Sequence, residues 1–119
     1  MDKIRIQVVN FIFFLGFFCQ GCTSDYSVDL GHGYVFCNEG EDFKFIYHKH
    51  SVGGEIPPTV IGYKSNNNFI IVKQKPYKVQ KEDTISYFII SKEMEEIYGP
   101  YTFNQYVKEK IKHKIDLTF

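Results

Sequence analysis

The sequence predicts an α+β domain: an antiparallel sheet of about six or seven short strands, free to curl, with one C-terminal helix packed on a face. Three observations carry this. Short runs of β-branched and aromatic residues alternate with turn residues from residue 28 to residue 98. Two of these runs, at 69–72 and 85–90, are almost unbrokenly apolar, as expected of strands covered on both faces. Only the segment after Gly99-Pro100 has helical spacing behind a cap. A chain of 119 residues, 44% hydrophobic and 18% aromatic, has material for one core and no more.

The N-terminus precedes that domain and reads as an address. Lys3 and Arg5 are followed by an apolar stretch at 8–18 and then by Cys19-Gln20-Gly21-Cys22, the layout of a secretion signal. The stretch is shorter than the roughly 20 apolar residues of a spanning helix. Its boundary resembles a bacterial lipobox, with the small Gly21 before Cys22. Cys19, behind the bulky Phe18, fits less well. That resemblance implies cleavage after Gly21 and a diacylglycerol on Cys22. Acyl chains contributing about 0.8 kcal/mol per buried methylene would then hold the domain on a membrane. Thr23, where an aspartate would signal retention, resembles an outer-membrane address if the host is Gram-negative. The expected organisation is a signal at 1–21, a lipidated tether at 22–27, and one β-rich domain at 28–119.

After cleavage, 98 residues remain, with 12 Lys against 13 Asp and Glu, and no arginine. Without a guanidinium fork for bidentate contacts, the composition argues against nucleic acid as a partner. Cys37 alone would remain as a free thiol, so no intrachain disulfide is expected.

Along the domain, residues 28–30 form a first strand and Gly31-His32-Gly33 a turn into a second at 34–37. Asn38-Glu39-Gly40 closes that strand. In the next, alternation puts Phe43, Phe45 and Tyr47 on one face and Lys44, Ile46, His48 and His50 on the other, with the aromatic face expected inward. Gly53-Gly54 and Pro57-Pro58 bracket a loop before a strand at 59–63. Ser65-Asn66-Asn67-Asn68 turns into the run at 69–72, and residues 73–83 read as a loop. The run at 85–90 turns through residues 91–95 into a short return strand at 96–98, which Gly99-Pro100 is expected to break. Thr102-Phe103-Asn104-Gln105 is a capping box, with Tyr101 and Tyr106 placed as a hydrophobic staple. Phe103, Tyr106, Val107, Ile111 and Ile115 follow as one apolar stripe expected to pack on the sheet, and lysines crowd the helix end where the macrodipole favours cations.

Few residues suggest chemistry. His48 and His50, two apart on a strand, point the same way and are weak candidates to share a metal, with His32, Glu55 or Asp42 as a third group. Cys37 on an apolar strand reads as a small hydrophobe rather than a nucleophile. The acidic groups at 39–42 and 93–96 fall in turns, and neither a catalytic triad order nor a phosphate loop is present. Nine tyrosines exceed what so small a core requires, and exposed tyrosine suits an interface.

The stretches IPPTVIGY (56–63), NFIIVKQK (68–75), YFIIS (87–91) and YGPYT (98–102) resemble a family of small bacterial lipoproteins with a domain of unknown function. The resemblance covers most of the mature chain. It implies a secreted, lipid-anchored, β-rich domain and brings no catalytic residues. The expectation is therefore a bacterial cell-envelope lipoprotein, not an enzyme, acting as a binding or interaction module. Its expected partners are a membrane, through the anchor, and an envelope protein; no cofactor is expected. Two alternatives stay open: an immunity or inhibitor lipoprotein against a toxin or envelope hydrolase, and a small metal-binding protein using His48 and His50.

Overall fold

A computed structural model describes residues 25–51, 54–76 and 84–119. The signal, Cys22 and most of the 73–83 loop lie outside the described residues. Within them the chain forms β1 (Tyr26–Gly31), β2 (Tyr34–Asn38), β3 (Lys44–His48), β4 (Glu55–Ile56), β5 (Val60–Ser65), β6 (Phe69–Gln74), β7 (Ser86–Ser91), β8 (Glu96–Tyr101) and α1 (Phe103–Lys112). All strand pairs are antiparallel, and β1 begins at Tyr26, inside the segment expected as tether.

The α+β class and the C-terminal helix hold, but the strands form two sheets rather than one of six or seven. β1-β2-β3-β4 make the first and β5-β6-β7-β8 the second, each in sequence order. The division falls at Pro57-Pro58. Two consecutive residues without an N–H end ladder pairing after a two-residue β4, and the chain crosses to start a new sheet.

The sheets pack face to face. Leu30, Tyr34, Phe36, Ile46 and Ile56 of the first meet Val60, Ile70, Val72, Phe88 and Ile90 of the second in one buried cluster. The Phe36 and Tyr63 rings join across it at 4.5 Å. A second cluster covers the other face of the β5–β8 sheet, where Ile71 and Ile89 lie under Tyr106 and Ile115. Three layers result: sheet, sheet and helix. The β5–β8 sheet is the middle layer, which is why β6 and β7 carry apolar residues at successive positions.

In β3 the structure inverts the expected faces. Ile46 and His48 are buried, whereas Phe43 is exposed and Phe45 and Tyr47 are half-buried. Register gives the reason: Ile46 lies between Phe36 of β2 and Ile56 of β4, so it shares their inward face. The aromatic face looks outward beside Val35 and Cys37.

Gly99-Pro100 does not break β8, which continues to Tyr101 across a register shift against β7. Helix α1 then starts as its sequence dictates. The Gln105 N–H donates to Thr102 Oγ1 at 3.2 Å and the Thr102 N–H donates to Gln105 Oε1 at 2.9 Å, completing the capping box.

Its far end departs from the expected stripe. The Ile115 N–H donates to the Lys110 carbonyl at 2.9 Å and the Lys114 N–H to the Ile111 carbonyl at 3.1 Å, with Lys114 at φ 55°. This is a Schellman turn with lysine where glycine is usual. It swings Ile115 back onto the sheet; Ile111, within the helix, is 71% exposed, contrary to the stripe. Phe103, the stripe's first member, is likewise exposed. Lys114→Gly should raise stability by about 0.5–1 kcal/mol, since a left-handed lysine costs more than glycine's extra chain entropy. Thermal unfolding of the two chains checks this.

Candidate functional site

Three places hold the side chains from which function can be built. The first is the end of the sandwich that gathers His32, His48 and His50. The β1–β2 turn carries His32 beside the buried end of β3. The His48 Nε2–H donates to the His32 carbonyl at 2.8 Å, and Nδ1 accepts the His50 backbone N–H at 3.1 Å. These two bonds fix the neutral tautomer and occupy both nitrogens. Tyr34 meets the ring edge-on at 4.6 Å, and Glu95 Oε2 lies 3.8 Å from Nε2. Gly33 is required there: its φ is 89°, and an added Cβ would sit 2.7 Å from His48 Nε2.

The structure thus brings His48 and His50 together, with ring centroids 5.9 Å apart, but only His48 is buried. Asp42 belongs to the turn at the opposite end of β3, and Glu55 is exposed on β4. Among the described residues no group of three His, Cys, Asp or Glu side chains is placed to hold a metal ion. A metal on His48 would have to displace a hydrogen bond. Cys37 is half-buried on β2, and burial, aided by Glu39, pushes its thiol pKa up, which lowers its thiolate fraction.

The same end contains a residue that the sequence hid. Lys92, in the β7–β8 turn, is buried, and its Nζ donates to the Asn66 carbonyl at 2.5 Å. Burial pulls its pKa down while Asp29 opposes the fall. The lysine therefore ties two turns of one sheet against the β1 end of the other. A lysine in a polar turn carries no sequence signal of burial.

The second place is a cleft of about 320 Å³ where β1 and β5 part, walled by Tyr26, Phe36, Asn38, Lys44, Val60 and Tyr63. Its walls are the margin of the main core.

The third is a cleft of about 250 Å³ on the helix side of the middle sheet. Tyr87 of β7, Phe103 and Tyr106 of α1, and Phe119 of the C-terminal segment supply its rings. Tyr87 and Tyr106 stack at 4.9 Å, Phe103 meets Tyr87 edge-on at 5.5 Å, and Phe119 lies 6.0 Å from Tyr106. Phe103 and Phe119 are 56% and 41% exposed, so apolar surface stays open to solvent. Lys73 Nζ sits 4.8 Å above the Phe119 ring and Lys110 Nζ 5.5 Å from the Tyr106 ring. Lys110 also donates to the Leu117 carbonyl at 2.6 Å.

Tyr106 distinguishes this cleft. Its side chain is buried, and its hydroxyl is the one buried side-chain polar atom without a hydrogen-bond partner among the described residues. Such a group costs about 1–3 kcal/mol where a neutral replacement would not. Burial pushes its pKa up to about 12, with Tyr87 adding to the shift. An unfolded tyrosine titrates near 10. The unfolded chain loses this proton first, so Tyr106 contributes stability in full below about pH 10 that is lost as pH rises through about 12. Tyr106→Phe is expected to leave the domain as stable or more stable at pH 7 and to remove part of its alkaline unfolding, as read by circular dichroism between pH 9 and 12.5.

Of the nine tyrosines, Tyr34 and Tyr106 are buried, Tyr26 is exposed, and five others are half-buried; Tyr77 lies outside the described residues. Of those at the cleft, Tyr106 was expected in the helix's staple and apolar stripe and Tyr87 in the strand run at 85–90; as recognition residues both belonged only to this excess. Phe119 had no signal there at all.

No helix among the described residues is long and apolar enough to cross a membrane. Among curated proteins and solved structures, none matches this chain. A family model does match, over residues 31–119, from the β1–β2 turn through both sheets, the helix and the aromatic cleft. The chain belongs to the family described as Protein of unknown function (DUF3997).

Proposed function

We propose that this protein is a bacterial cell-envelope lipoprotein, exported by the signal at 1–21, anchored through Cys22, and working as a non-catalytic binding module whose recognition site is the aromatic cleft. One observation carries the choice of site. Four rings from three elements converge around an open depression, leaving Phe103 and Phe119 in solvent beside a buried hydroxyl that no described residue satisfies. Exposed apolar clusters of this kind mark contact sites more often than isolated exposed residues do. The tether supports the same reading. Only three residues separate Cys22 from Tyr26, the first residue of β1. At about 3.5 Å per residue the domain is held within roughly 15 Å of its anchor.

The test is a photo-cross-linking residue at position 103 of the full chain, expressed in a bacterial envelope, with one at Met94 as control. Met94 is 64% exposed on the β7–β8 turn. An envelope component trapped at 103, absent at 94 and reduced in Cys22→Ala, is the expected result. Equal trapping at both positions, or none, would overturn the assignment of the cleft.

A further inference from the structure

We propose that the aromatic cleft binds a small carboxylate carried on a single flat ring, an arylcarboxylate. This deepens the reading of the cleft as the recognition site and rests on it. At about 250 Å³ the space is below the 300–1,000 Å³ of drug-sized sites and suits one ring. The exposed parts of Phe103 and Phe119 offer apolar surface for that ring to pack on.

Charge specifies the other half of the ligand. Among the described residues Lys73 and Lys110 are the charged side chains lining the cleft, and no acidic side chain lines it. Among the described residues neither lysine has a carboxylate partner. The Lys73 ammonium sits over an aromatic ring, and Lys110 spends one of its three donors on the Leu117 carbonyl. A neutral ring would leave both ammonium groups unanswered, and a simple anion would leave the rings in water.

The test is isothermal titration of the full chain in nanodiscs, against empty nanodiscs, with phenylacetate, benzyl alcohol and acetate as probes. Phenylacetate is expected to bind at least tenfold more tightly than benzyl alcohol, and acetate not to bind. Lys73→Gln and Lys110→Gln should each weaken phenylacetate at least fivefold. Lys73→Gln should do so without lowering the unfolding midpoint, which separates a ligand contact from a structural role. Equal affinity for phenylacetate and benzyl alcohol, or no phenylacetate binding by a chain whose unfolding is normal, would overturn the proposal. A polypeptide trapped at position 103 alongside a silent titration would overturn it while leaving the cleft as the recognition site.

Discussion

Ile46→Ala is expected to destabilise the domain by about 2–5 kcal/mol, whereas Phe45→Ala, one position away, should cost about 1 kcal/mol or less. Ile46 is fully buried between the sheets, packed with Phe36 and Ile56 of its own sheet and with residues of the other. Its truncation removes apolar contact and leaves a cavity that two rigid sheets cannot close. Phe45 lies on the outer face beside Cys37 and touches Tyr47, with ring centroids 6.1 Å apart. Urea denaturation of both variants reads the difference directly. The reverse order of losses would mean that β3 faces the other way, and with it the whole first sheet.

Gly99→Ala should be at least as damaging, by about 3–5 kcal/mol. Gly99 has φ 129°, in a region that side chains rarely occupy, and an added Cβ would meet the Tyr87 carbonyl oxygen at 2.7 Å and Phe88 Cδ2 at 2.9 Å. Backbone strain costs about 1–3 kcal/mol and overpacking a similar amount. The Tyr87 carbonyl is backbone within β7, so it cannot step aside as a flexible side chain would. Since β8 leads directly into the N-cap of α1, the loss should reach the cleft as well. In thermal unfolding Gly99→Ala should melt far below the parent chain, whereas Ile111→Ala, at an exposed position, should fall within about 0.5 kcal/mol of it.

The parts of the fold that were legible in sequence are those where one local rule decides. The runs at 69–72 and 85–90 became β6 and β7 because only a strand covered on both faces tolerates unbroken apolar sequence, and the middle layer supplies that cover. The Thr102 capping box was legible because its two hydrogen bonds depend on four consecutive residues. In β3 both alternating sets contain apolar residues, so periodicity located the strand but could not choose its face; that choice belongs to Phe36 and Ile56, distant in sequence. Ile111 failed for a related reason. The packed face of α1 centres on Tyr106, about 140° around the helix from Ile111, and the turn at Lys114 gives the buried place to Ile115. The division into two sheets has a local mark in Pro57-Pro58, but consecutive hairpins on either side of a break read alike in one sheet or two.

The candidate site was less legible than the fold. Its rings come from β7, α1 and the last residue of the chain, positions brought together only when the helix lies across the middle sheet. The histidines drew attention by their spacing, yet His48 is occupied in holding the β1–β2 turn. The excess of tyrosine was a true signal without an address. Tyr106 acquires its interest from an unsatisfied hydroxyl, which no sequence pattern records.

Whether this domain works from a lipid anchor, as we propose, is decided by the intact mass of the chain recovered from a bacterial envelope. The expected product is a polypeptide beginning at Cys22 and heavier than its sequence by a diacylglyceryl group, with or without a further acyl chain, and a Cys22→Ala chain without that lipid. A chain that retains residues 1–21, or one that begins at Cys22 without lipid, would contradict it.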